Sequence, residues 1–141
     1  MTDFNSLYET NHKIAERIKI FLYMIKKRSI CDTQVTNELF YELLSMIKNQ
    51  MEREDRDFFK EMLVSNTSEV KVVANNFLSS SSEIKRVIKQ YTKQWTYNNH
   101  LRIKDHQAFI DDTNEVFEMI DNHIILKTEK LYPAVRKMRG K

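Results

Sequence analysis

One glycine and one proline in 141 residues leave this chain with almost none of the residues that make tight turns. Sandwiches and barrels reverse direction every few residues and draw on both types, whereas long helices joined by short loops need neither. The expectation is an all-α fold in a single domain, residues 1–141. A chain of this length buries about two thirds of the surface that its unfolded form exposes, enough for a core without disulfides. Cys31 is the only cysteine, which rules out an internal disulfide and a thiolate metal cluster and suits a reducing compartment. A cytoplasmic location is therefore expected.

Apolar spacing divides the chain into four helices. The first is expected over about 6–27, with Leu7, Ile14, Ile18, Phe21 and Ile25 on one face and Asn11 inside that arc. A loop at 28–32 follows, carrying Cys31 as an unremarkable surface residue, with Asp32 or Thr33 as a cap. The second helix is expected over about 33–64, on Phe40, Leu43, Leu44, Ile47, Met51, Phe58 and Met62, with Gln50 and Glu54 one turn apart at its edge. The third runs over about 68–95, on Val70, Val73, Phe77, Ile84, Ile88, Tyr91 and Trp95, with Ser81 of the run Ser79–Ser82 facing the core. A polar connection, 97–104, leads to the fourth, about 105–132, whose stripe is Phe109, Val116, Ile120, Ile124 and Leu131. Pro133 should end it, because proline disfavours α geometry in the residue before it, and the basic tail from Val135 to Lys141 should fray.

His123 and Lys127 stand in or beside that last stripe, one turn apart, where a purely structural helix carries Leu or Ile. These two polar intrusions are the clearest pointer to chemistry. If Lys127 and Glu54 are both inside, each must partner the other, because an unpaired buried ion costs several kcal/mol.

Other function classes lack support. Basic and acidic residues, 23 and 20, alternate along the chain, which argues for a solvated surface and against nucleic acid. The longest apolar run, Ile18–Ile25, contains Lys19 and is far short of the roughly 20 residues of a membrane span. The polar, acidic N-terminus shows no signal peptide. A metal-free enzyme would be expected to show a Gly-rich phosphate loop, a nucleophile elbow or a Cys–His arrangement, and none is present.

The segment His123-Ile-Ile-Leu-Lys-Thr-Glu-Lys-Leu-Tyr-Pro133 resembles the fourth-helix signature of the hemerythrin-like (HHE cation-binding) family, and Gln50-Met-Glu-Arg-Glu-Asp-Arg-Asp-Phe-Phe59 resembles the same signature on its second helix. With the order and lengths of the helices, the resemblance covers nearly the whole chain. It implies an antiparallel up-down-up-down four-helix bundle. It also implies two bridged non-haem irons, held by histidines on all four helices and carboxylates on the second and fourth. By the same resemblance Asn11 and Gln50 stand at histidine positions, Glu54 at the bridging carboxylate, His123 at the fourth-helix histidine and Lys127 at its carboxylate partner. Amides are weak ligands and an ammonium repels a cation. The expected interior is thus a polar network of Asn11, Gln50, Glu54, His123 and Lys127, with no metal and no cofactor.

The expected role is a non-enzymatic regulatory or protein-binding module. The charged fourth helix is also similar to that of the sigma-factor-sequestering bacterial regulators, which implies a protein partner. The alternative expectation is a residual site of Glu54 and His123, with His12 or Glu16, that takes non-haem iron or zinc and senses oxygen, nitric oxide or redox state.

Overall fold

A computed structural model describes residues 3–140 and is helical almost throughout, which supports the all-α expectation. The first helix, α1 (Phe4–Met24), begins where the Asp3 carboxylate accepts hydrogen bonds from the Asn5 and Ser6 amides at 3.0 and 3.3 Å. These are amides that a helix start leaves without partners. It ends three residues before the expected Lys27. There the Ile25 carbonyl accepts from His106 Nε2 at 2.7 Å and from the Cys31 thiol at 3.2 Å, so other parts of the chain replace the next helical turn. The expected loop is instead one turn of helix, α2 (Arg28–Cys31), which faces Cys31 inward at 1 % exposure. Cys31 is therefore a core residue, and burial pushes its thiol above the usual range.

The second long rod starts at the Thr33 cap, whose hydroxyl accepts from the Thr36 amide at 3.3 Å. It runs without interruption through α3 (Gln34–Glu54), a π-helical turn π1 (Asp55–Phe59) and α4 (Lys60–Leu63). The third rod, α5 (Ser68–Trp95), has the expected bounds and carries the serine run as regular helix, with Ser81 buried.

The expected polar connection contains a small antiparallel hairpin, β1 (Thr96–Tyr97) and β2 (His100–Leu101). Asn98 and Asn99 turn it with φ of 50° and 63°. Asparagine tolerates this left-handed region better than most residues, and two consecutive positive φ values suit a two-residue hairpin loop. Asn37 of α3 fastens the hairpin, donating to the Asn99 carbonyl at 3.2 Å and accepting from the Leu101 amide at 2.8 Å.

The fourth rod opens at Asp105, whose carboxylate accepts from the Ala108 amide at 3.1 Å. It comprises α6 (His106–Leu126), a second π turn π2 (Lys127–Leu131) and α7 (Tyr132–Met138). Pro133 thus does not end the helix. In the wider π turn the Tyr132 amide reaches the Lys127 carbonyl, five residues back. Proline clashes with a carbonyl four residues back, and the widened turn shifts the ladder just where Pro133 enters the first turn of α7. Nor does the tail fray as far as Met138: Val135 is fully buried and Arg139 pairs with Glu61 at 2.7 Å. Lys141 lies outside the described residues.

Helix α1 packs on α3 and α6, and α5 packs on α6, α4 and both π turns. Buried apolar side chains form two clusters. The larger includes Ile14, Ile18, Phe21, Phe40, Leu43, Phe109 and Phe117, and the smaller includes Leu7, Phe58, Met62, Phe77, Leu131 and Val135. On α1 the boundary between them falls at Asn11, on α3 and π1 at Gln50 and Glu54, and on the fourth rod at Lys127. The core is therefore two oily halves separated by a polar layer. Among the described residues, no helix is long and apolar enough to cross a membrane.

Candidate functional site

The polar layer is assembled by four rods, and each contributes at a point where its apolar stripe is interrupted. Asn11, Gln50, Glu54, Ser81, His123 and Lys127 are all 5 % exposed or less. Glu54 is the centre. Its Oε1 accepts from Lys127 Nζ at 3.0 Å and its Oε2 from the Tyr132 hydroxyl at 2.5 Å. Tyr132 in turn accepts from Asn11 Nδ2 at 2.8 Å. The Asn11 carbonyl accepts from Gln50 Nε2 at 3.2 Å, and the same amide donates to the Leu7 backbone carbonyl at 3.1 Å. The result is one connected chain of donors and acceptors from α1 through α3 to the fourth rod.

Local packing fixes the geometry. The Tyr132 ring is held edge-on by Tyr8 and Phe58 at centroid distances of 5.3 and 5.7 Å, which aims its hydroxyl at Glu54. Burial, followed by the negative charge of Glu54, raises the Tyr132 phenol far above its ordinary range, so it keeps its proton and donates. The Glu54–Lys127 pair is desolvated on both sides, at 1 % and 4 % side-chain exposure. Such a pair roughly breaks even against a well-packed apolar substitute, but removing one partner leaves an ion with no compensation.

His123 sits apart from this chain. Its Nδ1 lies 2.9 Å from the Ser80 hydroxyl and its ring stands 5.8 Å from Phe77. Burial, with a smaller contribution from the Lys127 charge, lowers its pKa to about 3, so the imidazole is neutral at pH 7. Its buried Nε2 has no hydrogen-bond partner among the described residues. A cavity of about 10 Å³, lined by Gln50, Met51, His123, Lys127 and five isoleucines, lies between these groups. Its volume is close to that of a single water.

No family model, curated protein or solved structure matches this chain. The hemerythrin-like resemblance therefore rests on the residue pattern alone. A pair of bridged irons requires two ions roughly 3.5–4 Å apart and imidazole or carboxylate donors from several helices. The residues of the layer do not fit one. Glu54 is its only carboxylate among the described residues, and both oxygens are engaged. Asn11 and Gln50 bind each other, and the cavity is much too small for two ions. His12 and Glu16 do not join Glu54 and His123, because they pair with each other at 3.0 Å on the solvent side of α1. Among the described residues, no three His, Cys, Asp or Glu side chains converge as metal ligands would.

Two members of the layer escape a reading of the sequence. Tyr132 reads as the aromatic that closes the helix, although a buried tyrosine needs a partner for its hydroxyl, which Glu54 of the same layer supplies. Ser80 lies next to the core-facing Ser81, and nothing in the spacing marks it as the partner of His123.

Proposed function

We propose that this chain is a hemerythrin-like, antiparallel up-down-up-down bundle whose interior works without a metal, and that it acts as a cytoplasmic, non-enzymatic regulatory or protein-binding module. The observation that carries this reading is the Lys127 ammonium 3.0 Å from Glu54. An ammonium fixed on Glu54, the one carboxylate buried among the described residues, provides the countercharge that a cation would provide in that position. The burial of both groups leaves no open face at which a substrate could meet them, which supports a role outside catalysis. The protein-binding part rests on the resemblance and on Ile20 and Tyr23, which are 51 % and 74 % exposed and lie one turn apart on α1.

Elemental analysis of the purified protein with a near-ultraviolet to visible spectrum tests the metal-free interior. The expected result is no stoichiometric iron or zinc and no oxo-bridge bands, and stoichiometric metal overturns it. One observation favours the alternative of a residual iron or zinc sensor, namely the unpartnered Nε2 of His123. Against it stands the outward placement of His12 and Glu16, which leaves too few donors. An affinity capture from the native host tests the partner: a stoichiometric protein lost on Tyr23→Ala supports the module reading, and capture unaffected by that change removes α1 from it.

A further inference from the structure

Two polar contacts tie the second rod to α5 and to the hairpin that follows α5, and the rods part between them. At one end Lys85 pairs with Asp55 at 2.8 Å, and at the other Asn37 holds the hairpin that follows α5. Among the described residues, no hydrogen bond or ion pair joins α3 to α5 between these ties. The gap is a groove of about 480 Å³, within the range of small-molecule sites. Its floor is apolar, built from Leu44, Ile47 and Met51 of α3 and Ile88 of α5. Lys48 stands on one wall and Lys89 on the other, both exposed, and neither has an ion-pair or hydrogen-bond partner among the described residues. Among the described residues of the lining, Glu52 is the only acid, against three lysines of which Lys85 is paired with Asp55.

We propose that this groove binds a free anionic amphiphile, an acyl chain bearing a carboxylate, with the chain along the apolar floor and the carboxylate between Lys48 and Lys89. The charge of the walls selects an anion, and the floor selects an apolar body. A groove of this size suits a compact ligand rather than a partner helix, which needs an interface of roughly 1,000 Å² or more. Met51 adds adaptability: its unbranched, flexible side chain and Ile47 line both the groove and the cavity beside His123, so a rotation of Met51 deepens the floor toward that cavity. The site lies outside the Glu54 network and does not depend on the function proposed above.

The test is titration of the whole protein with dodecanoate below its micelle-forming concentration, followed by calorimetry and backbone amide NMR. The expected result is one saturable site per chain, with shifts concentrated over 44–52 and 84–89. The exposed Lys48→Glu, Lys89→Glu double variant should bind at least fivefold more weakly, with an unchanged far-ultraviolet spectrum. Leu44→Gln should weaken binding independently of charge. Dodecyltrimethylammonium, with the same chain and the opposite charge, should not compete. Absence of saturable binding, equal affinity for the cationic amphiphile, shifts centred elsewhere, or binding seen only to anionic vesicles each overturns the proposal.

Discussion

Replacing Lys127 by Met keeps the length and apolar stem of the side chain and removes only the ammonium. Glu54 then retains the Tyr132 hydroxyl at 2.5 Å but loses the 3.0 Å ion pair, in a position 1 % exposed where solvent cannot compensate. The carboxylate has two ways to respond. It can stay ionised without a countercharge, which costs several kcal/mol in the interior, or it can take a proton. For a glutamate with an ordinary pKa of about 4.3, protonation at pH 7 costs about 1.4 kcal/mol for each of 2.7 pH units, or about 4 kcal/mol. The cheaper route sets the loss, so Lys127→Met should destabilise the fold by about 3–4 kcal/mol at pH 7. At pH 5 the same route costs only about 1 kcal/mol. Urea unfolding followed by circular dichroism at both pH values, each against the unaltered chain, measures the two losses. Glu54→Gln combined with Lys127→Met removes both charges together and should recover most of the stability at pH 7. An unchanged urea midpoint in the single variant, or a loss of equal size at both pH values, would refute the reasoning.

Three further outcomes follow from the layer and from the π turn beside it. His123 is held at about 3 when folded and returns to about 6.5 when unfolded, so between those values the unfolded chain binds the extra proton; stability is full above about pH 6.5 and falls by about 1.4 kcal/mol per unit below it. His123→Gln should therefore lose less stability than the unaltered chain between pH 6.5 and 4.5, and parallel declines would remove His123 from the acid sensitivity. Tyr132→Phe deletes the hydroxyl that links Asn11 to Glu54 and should cost about 2 kcal/mol in thermal or urea unfolding, the range of a hydrogen bond to a charged group; a neutral result would mean that the link contributes nothing. Pro133→Ala should change stability by less than about 1 kcal/mol, because the π turn already accommodates the ring, whereas a gain near 3 kcal/mol would show that the proline strains an ordinary helix.

The helical class was legible because burial enforces a period. Leu7, Ile14, Ile18 and Phe21 recur at steps of seven, four and three residues, and all are 1 % exposed or less. The polar intrusions were legible for the complementary reason: Asn11, Gln50 and Lys127 interrupt stripes that are mostly apolar. What periodicity cannot encode are features set by contacts between distant residues. The end of α1 depends on His106, 81 positions from Ile25, and on Cys31 turning inward. The hairpin depends on Asn37, 62 positions before Asn99, as well as on two asparagines that read equally well as any polar loop. The passage of the fourth rod beyond Pro133 depends on a change in hydrogen-bond spacing that leaves no mark on composition.

Among the described residues that change of spacing occurs twice, immediately after Glu54 and beginning at Lys127. Each wide turn accommodates one more residue than a regular turn and rotates everything beyond it by roughly 100° relative to an unbroken helix. This lets neighbours face inward together, Phe58 beside Phe59 and Leu131 beside Tyr132. Single-residue insertions and deletions, ordinarily ruinous within a rod, thus have two places in this molecule where the backbone already absorbs one. Removing a residue from the second alone would swing the Tyr132 hydroxyl away from its acceptor while leaving both ends of the rod able to remain helical.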